Sequence, residues 1–130
     1  MDVYGYSGLQ EHVRKLRLPP LGVVENLYRE AEYTVRLETS ELTALCPKTG
    51  NPDYYTLIVE YVPDERILEL KSFRYYLQAF RNVGIFHENL ANRIFEDLLR
   101  ALRPRRLKVV LRANVRGGIS ATVVREHQKE

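Results

Sequence analysis

The chain reads as an α+β domain, a four-stranded antiparallel sheet with two helices packed on one face, in the order ββααββ. Three observations lead there. Apolar and polar residues alternate with period two at Tyr33–Glu38 and again at Leu107–Ala113. Between them lie two separate apolar stripes of helical period. Near the end, Arg116-Gly117-Gly118 is a hairpin turn signal, which makes the last two strands antiparallel neighbours.

Taken in order, the first thirty residues are loop-like, punctuated by Gly5, Gly8, Pro19, Pro20 and Gly22, with a short helical piece over Leu9–Leu16. Tyr33, Val35 and Leu37 face one way and Thr34, Arg36 and Glu38 the other, as in a half-buried strand. Cys46-Pro47-Lys48-Thr49-Gly50-Asn51-Pro52-Asp53 interrupts any regular element. Tyr54–Val62, β-branched and aromatic, is the second strand, ended by Pro63-Asp64. Phe73, Tyr76, Leu77 and Phe80 fall at i, i+3, i+4 and i+7 on one helix face, and Asn82-Val83-Gly84 stops that helix. A second helix begins near His87; Leu90, Ala91, Ile94, Phe95, Leu98 and Leu102 form its stripe, up to Pro104. Leu107–Ala113 and Ile119–Val124 complete the sheet. Such a sheet leaves two open edges, which invite pairing with another chain, so an oligomer is expected.

With 130 residues, the chain suits a single domain spanning 1–130. An apolar share of 45% and a charged share of 28% are those of a globular protein. No window approaches the roughly 18 apolar residues a membrane span needs, and Met1-Asp2-Val3-Tyr4-Gly5 lacks the plan of a signal peptide. A cytoplasmic setting is the expectation. The single cysteine rules out an internal disulfide and leaves no obvious structural metal site. The net charge of +3 is mild, but Arg103, Arg105, Arg106, Lys108, Arg112 and Arg116 fall in one acid-free stretch. Nucleic acid, solvated strand faces and an anionic cofactor account for that stretch equally well.

Three segments carry groups suited to chemistry. In the first, Cys46 sits beside Pro47, with Lys48 close by and Asp53 at the far end of the loop. A thiol is a nucleophile only as thiolate, so a nearby cation and a proton acceptor fit a reactive cysteine; the plainer alternatives are a small buried hydrophobe and a turn-capping aspartate. In the second, Leu68-Glu69-Leu70-Lys71-Ser72-Phe73-Arg74-Tyr75-Tyr76, Lys71 and Arg74 lie one turn apart where a helix starts. That arrangement suits phosphate held against helix N-terminal amides, and equally an ordinary charged helix face. A glycine-rich dinucleotide fingerprint is absent. In the third, Phe86-His87-Glu88, the glutamate offers two acceptor oxygens to the adjacent N–H donors of a guanine-like base, and the histidine can move a proton near neutral pH. Either residue alone is also an ordinary helix-start residue.

Together, in this order and spacing, Cys-Pro-Lys-Thr-Gly-x-Pro-Asp, Glu-Leu-Lys-Ser-x-Arg-x-Tyr and Phe-Arg-Asn-x-Gly-x-Phe-His-Glu resemble the QueF family, the NADPH-dependent 7-cyano-7-deazaguanine reductases of queuosine biosynthesis, in single-module form. The resemblance runs from about Leu37 to Ser120 and takes in Arg116-Gly117-Gly118-Ile119-Ser120. It implies the tunnelling fold, whose ββααββ units assemble into homo-oligomeric rings with sites between subunits. It implies that Cys46 adds to the nitrile carbon to form a covalent thioimide, with Asp53 as proton donor. Leu68, Glu69 and Leu70 correspond to a substrate-contacting strand end, and His87 with Glu88 to the pair that grips the base. His87 is the candidate for a later proton transfer. Glu69–Tyr76 corresponds to the signature for NADPH use, with Lys71 and Arg74 as phosphate ligands; no metal, membrane or direct nucleic-acid partner is implied. Two positions depart from the family pattern: Arg74 where lysine is common, which keeps the charge but changes the hydrogen-bond geometry, and Leu70 where serine is common. Two rival readings remain. One is a related amidinotransferase that acts on the nitrile base in tRNA and needs no NADPH, against which the Glu69–Tyr76 segment argues. The other is a small basic RNA-binding module, which leaves the cysteine loop unexplained.

Overall fold

A computed structural model describes residues 2–129. Four long or medium strands, β2 (Val35–Leu45), β3 (Pro52–Val62), β5 (Arg106–Arg116) and β6 (Ile119–Gln128), form one antiparallel sheet in the order β2-β3-β5-β6. Between β3 and β5 the chain forms α1 (Leu70–Gln78) and α2 (His87–Leu102), which pack on one face of the sheet. The tunnelling-fold architecture expected from the sequence is therefore present.

The reason lies in which side chains point inward. Along β3, Tyr55, Leu57, Val59 and Tyr61 occupy alternate positions and are buried, and along β5 Leu107, Val109 and Leu111 do the same. Phe73, Tyr76 and Leu77 from α1, and Leu90, Ala91, Ile94, Phe95, Leu98 and Leu102 from α2, close over them. A bulge between Thr39 and Leu42 shifts the β2 register so that Leu42 and Ala44 still face the core. Buried Asp97 on α2 accepts from Tyr76 Oη at 2.6 Å, Arg93 Nε at 2.8 Å and Arg100 Nη1 at 3.1 Å, so its charge is fully partnered. α2 ends at Arg103, in the left-handed region at φ 45°, just before Pro104.

The N-terminal segment differs from the expectation. Within Leu9–Leu16 the helical piece is a single 3-10 turn at Val13–Lys15, shorter than expected. The carbonyls of Val13 and Leu16 accept from the Arg93 guanidinium, so α2 provides the partner that helix amides would otherwise provide. Further on, β1 (Val23–Glu25) pairs antiparallel with β4 (Arg66–Leu68) in a small separate sheet, two strands beyond those read from the sequence.

Candidate active site

Cys46 directly follows β2, and its loop is closed by two backbone hydrogen bonds, Cys46 N to Asn51 O at 2.8 Å and Gly50 N to Cys46 O at 2.9 Å. Gly50 takes a φ of +74°, the left-handed turn conformation that favours glycine. Burial pushes the thiol pKa up and the Asp53 carboxylate adds to this. The Thr49 hydroxyl and the amides of Thr49 and Lys48 donate to the sulfur and outweigh both, leaving the thiol below the ordinary cysteine range. These donors favour the thiolate, the nucleophilic form, over what an ordinary cysteine would allow.

The start of α2 is fastened beside this loop. Leu45 N donates to Val83 O at 2.9 Å and Ile85 N to Leu45 O at 3.0 Å, a short parallel bridge between β2 and the α1–α2 connection. Gly84 allows this approach, because a Cβ there would lie 3.2 Å from the Pro47 backbone. Phe86, His87 and Glu88 follow at once. On the neighbouring strand, Asp53 lies opposite Ala44, is buried, and pairs with Arg116 Nη2 at 2.6 Å. Its carboxylate thus points to a cation from the β5–β6 hairpin. Tyr55, also buried, reaches His87 with its hydroxyl, 2.7 Å from Nδ1. The charges of Asp53, Arg116, Cys46 and Glu88 all act on the Tyr55 hydroxyl, so these side chains form one electrostatic neighbourhood.

The N-terminal segment lies over both loops. Lys48 Nζ donates to Gly5 O at 3.3 Å and stands 5.8 Å from the Tyr6 ring, Tyr6 packs on Phe86 with centroids 5.2 Å apart, and His12 Nε2 bonds Gly84 O at 2.7 Å.

Cys46, Asp53, His87 and Glu88 therefore come together, whereas the other sequence-derived site residues lie elsewhere. Leu68 N donates to Tyr61 Oη at 2.9 Å. Tyr61 is eight residues beyond Asp53 on β3, about 27 Å at ~3.4 Å per residue. Glu69 caps α1, its Oε1 accepting from Ser72 N and its Oε2 from Lys71 N, both at 2.8 Å. These amides, Ser72 first, hold the carboxylate below its usual range. The α1 N-terminal amides, which the sequence offered to a phosphate, are thus engaged by Glu69. The basic side chains remain available: Lys71, Arg74 and Arg81 are exposed and form no ion pair among the described residues. Arg74 and Arg81 line a groove of about 280 Å³ beside β2, with Leu37, Leu42, Phe73 and Glu41. Among the described residues, no group of three or more His, Cys, Asp or Glu is placed to hold a metal ion.

Tyr55, Arg116 and Thr49 escaped the sequence reading as site residues. Tyr55 reads as a core aromatic of a strand, and Arg116 as one member of the basic stretch. Half of that stretch is paired internally: Arg105, Lys108 and Arg116 each pair with a carboxylate.

Fold and loop together define the class, a tunnelling-fold protein with its single cysteine in a loop beside the start of its second helix. The family model described as QueF-like protein matches residues 52–130, and the chain belongs to that family. It is 49% identical over 107 residues to the NADPH-dependent 7-cyano-7-deazaguanine reductase of Chlorobaculum tepidum, covering 82% of this chain and 92% of the relative. It is 39% identical over 130 residues to the protein of the same name from Elusimicrobium minutum, covering 98% and 96% of the two chains. Among solved structures, the apo archaeosine synthase QueF-Like matches with a TM-score of 0.69 and 29% identity, over 75% of this chain and 95% of that one. No helix among the described residues is long and apolar enough to cross a membrane.

Proposed function

We propose that this protein reduces the nitrile of 7-cyano-7-deazaguanine to 7-aminomethyl-7-deazaguanine with NADPH, in queuosine biosynthesis, through a thioimide on Cys46. The observation that carries the reading is the stabilised Cys46 thiol beside Asp53, His87 and Glu88, in a chain whose relatives at 39–50% identity bear that reductase name. A cytoplasmic setting fits a lone reduced thiol.

The chemistry follows from the residues. Asp53 takes the thiol proton and Arg116 stabilises the carboxylate before and after. The Cys46 sulfur bonds to the nitrile carbon, one C≡N π bond breaks, and Asp53 returns the proton to the nitrogen. Covalent capture turns a poor hydride acceptor into a C=N carbon that carries a sulfur leaving group. NADPH supplies two hydrides, one to the thioimide and one to the imine left after the thiolate departs. His87 attends the substrate nitrogen in these later steps, and Glu88 accepts from the adjacent N–H groups of the base. Two hydrides and two protons are taken up overall. The imine is prone to hydrolysis, so a site closed between two copies of the chain would suit the task.

Residues separated by about 27 Å of strand meet one substrate if the site is built between two copies of the chain. β2 and β6, 11 and 10 residues long, are the free edges of the four-stranded sheet, and a ring would pair them. In that arrangement Leu68, Glu69 and Leu70 reach the base from a neighbouring copy, and Lys71 and Arg74 hold the NADPH phosphates. The unpaired cations of α1 fit that cofactor.

A second reading has one observation in its favour: the structural neighbour is named an archaeosine synthase, a different outcome for a related fold. NADPH consumption with 7-cyano-7-deazaguanine separates the two. The reductase reading expects two NADPH oxidised per amine formed; adduct formation without NADPH oxidation would favour the other. An RNA-binding role is not favoured, since it leaves the cysteine loop unused in a chain whose relatives bear the reductase name.

A further inference from the structure

We infer that Tyr55 is a positioning residue that fixes His87 as the Nε2–H tautomer, so that His87 meets the substrate as a neutral hydrogen-bond donor. This rests on the reading of His87 as part of the substrate site, and it deepens that reading.

The geometry is simple. Tyr55 lies on the inner face of β3, opposite Leu42 on one side and Ala113 on the other, and is 1% exposed. Its hydroxyl has His87 Nδ1 as its hydrogen-bond partner among the described residues, at 2.7 Å, with the two rings edge-on at 76°. A phenol and an imidazole nitrogen can share a proton in two ways. If Nδ1–H donated to the phenol oxygen, the buried phenol O–H would be left without an acceptor, a costly outcome for a buried donor. If the phenol donates, Nδ1 is the acceptor, both groups are satisfied, and the neutral imidazole must carry its proton on Nε2.

The surroundings favour the second arrangement. Burial first, and then the Asp53 carboxylate, push the Tyr55 phenol far above its ordinary range, with Cys46 and Glu88 acting in the same direction and Arg116 against it. The phenol therefore keeps its proton to donate.

His87 Nε2 has no partner among the described residues, and the ring is half-buried at the start of α2. From there Nε2–H donates to a lone pair on the substrate nitrogen and draws electron density away from the C=N carbon, toward which hydride moves. No proton leaves the imidazole. The proton that the nitrogen gains comes from Asp53, recharged by solvent. His87 is thus a polarising group in place of the proton donor that its residue type suggests, as a neutral imidazole can be when its other nitrogen is held.

The test combines ¹⁵N NMR of the histidine rings with kinetics. The chain has 3 histidines, so His87 is assigned by its disappearance in His87→Gln. At a pH of about 8.5, where ordinary imidazole is neutral, the wild type should show His87 protonated on Nε2 and bare on Nδ1. Tyr55→Phe keeps the ring in the core and removes only the donor. It should shift His87 toward a tautomer mixture and lower turnover with NADPH by about tenfold, the scale of one lost hydrogen bond, while Cys46 adduct formation proceeds as before. Wild-type His87 protonated on Nδ1 would overturn the inference, as would a Tyr55→Phe protein that keeps both tautomer and turnover. Full turnover in His87→Gln would instead remove His87 from the reaction, leaving the tautomer result standing, so the two failures are distinguishable.

Discussion

If one site takes Cys46, Asp53, His87 and Glu88 from one copy and Lys71 with Arg74 from another, then two differently damaged chains should repair each other. Cys46→Ala removes the first half-site. Lys71→Ala/Arg74→Ala damages the second, at two exposed positions where substitution costs little stability. Prepared alone, the first protein should be inactive and the second should fail at low NADPH. After refolding as an equal mixture, a site works when its cysteine half comes from the second chain and its basic half from the first. Those chances are about one half each, so about one quarter of the sites should be whole, whatever the ring size. Were the site confined within one chain, every site would carry a defect. The assay is NADPH oxidation at low NADPH, with an equal mixture of proteins never co-refolded as the baseline. Recovery near a quarter of the wild-type rate supports the shared site. A co-refolded mixture no better than its baseline would refute the site shared between two copies, and an ordinary NADPH requirement in the double variant would take Lys71 and Arg74 out of the cofactor site.

Other outcomes follow from the same geometry. Because donors from Thr49 and Lys48 hold the Cys46 thiol below the ordinary range, alkylation by iodoacetamide should persist at lower pH than for a free thiol; Thr49→Val should move the profile to higher pH. Glu88→Gln replaces one acceptor with a donor, and binding of 7-cyano-7-deazaguanine to the unreactive Cys46→Ala protein should weaken by about 1–3 kcal/mol; unchanged affinity would move base recognition to other residues. Asp97→Ala strands Tyr76 and the Arg93 guanidinium in the core, and should cost about 3–5 kcal/mol in urea unfolding.

Much of the fold was legible because it rests on local patterns. The α2 stripe from Leu90 to Leu102, the stop at Pro104 and the Gly117-Gly118 turn each follow from residues a few positions apart. The misses depend on distant partners. Val23–Glu25 is a three-residue strand with every residue exposed, and only its pairing with β4 makes it a strand. Asp53 and Arg116 meet because β3 and β5 are neighbours, and Tyr55 finds His87 because the Leu45–Gly84 bridge anchors α2 beside the cysteine loop. Spacing along the chain contains none of these meetings. The break at the cysteine loop was legible, since two prolines and a glycine punctuate Cys46–Asp53 between the two strands.

The central claim is covalent capture of the nitrile by Cys46. Intact-protein mass measured after mixing with 7-cyano-7-deazaguanine in the absence of NADPH tests it directly. The account expects a mass gain equal to one whole substrate molecule per chain, lost on addition of NADPH and never seen in Cys46→Ala. A protein that reduces the nitrile without forming that adduct, or a Cys46→Ala protein that still turns over, would contradict it.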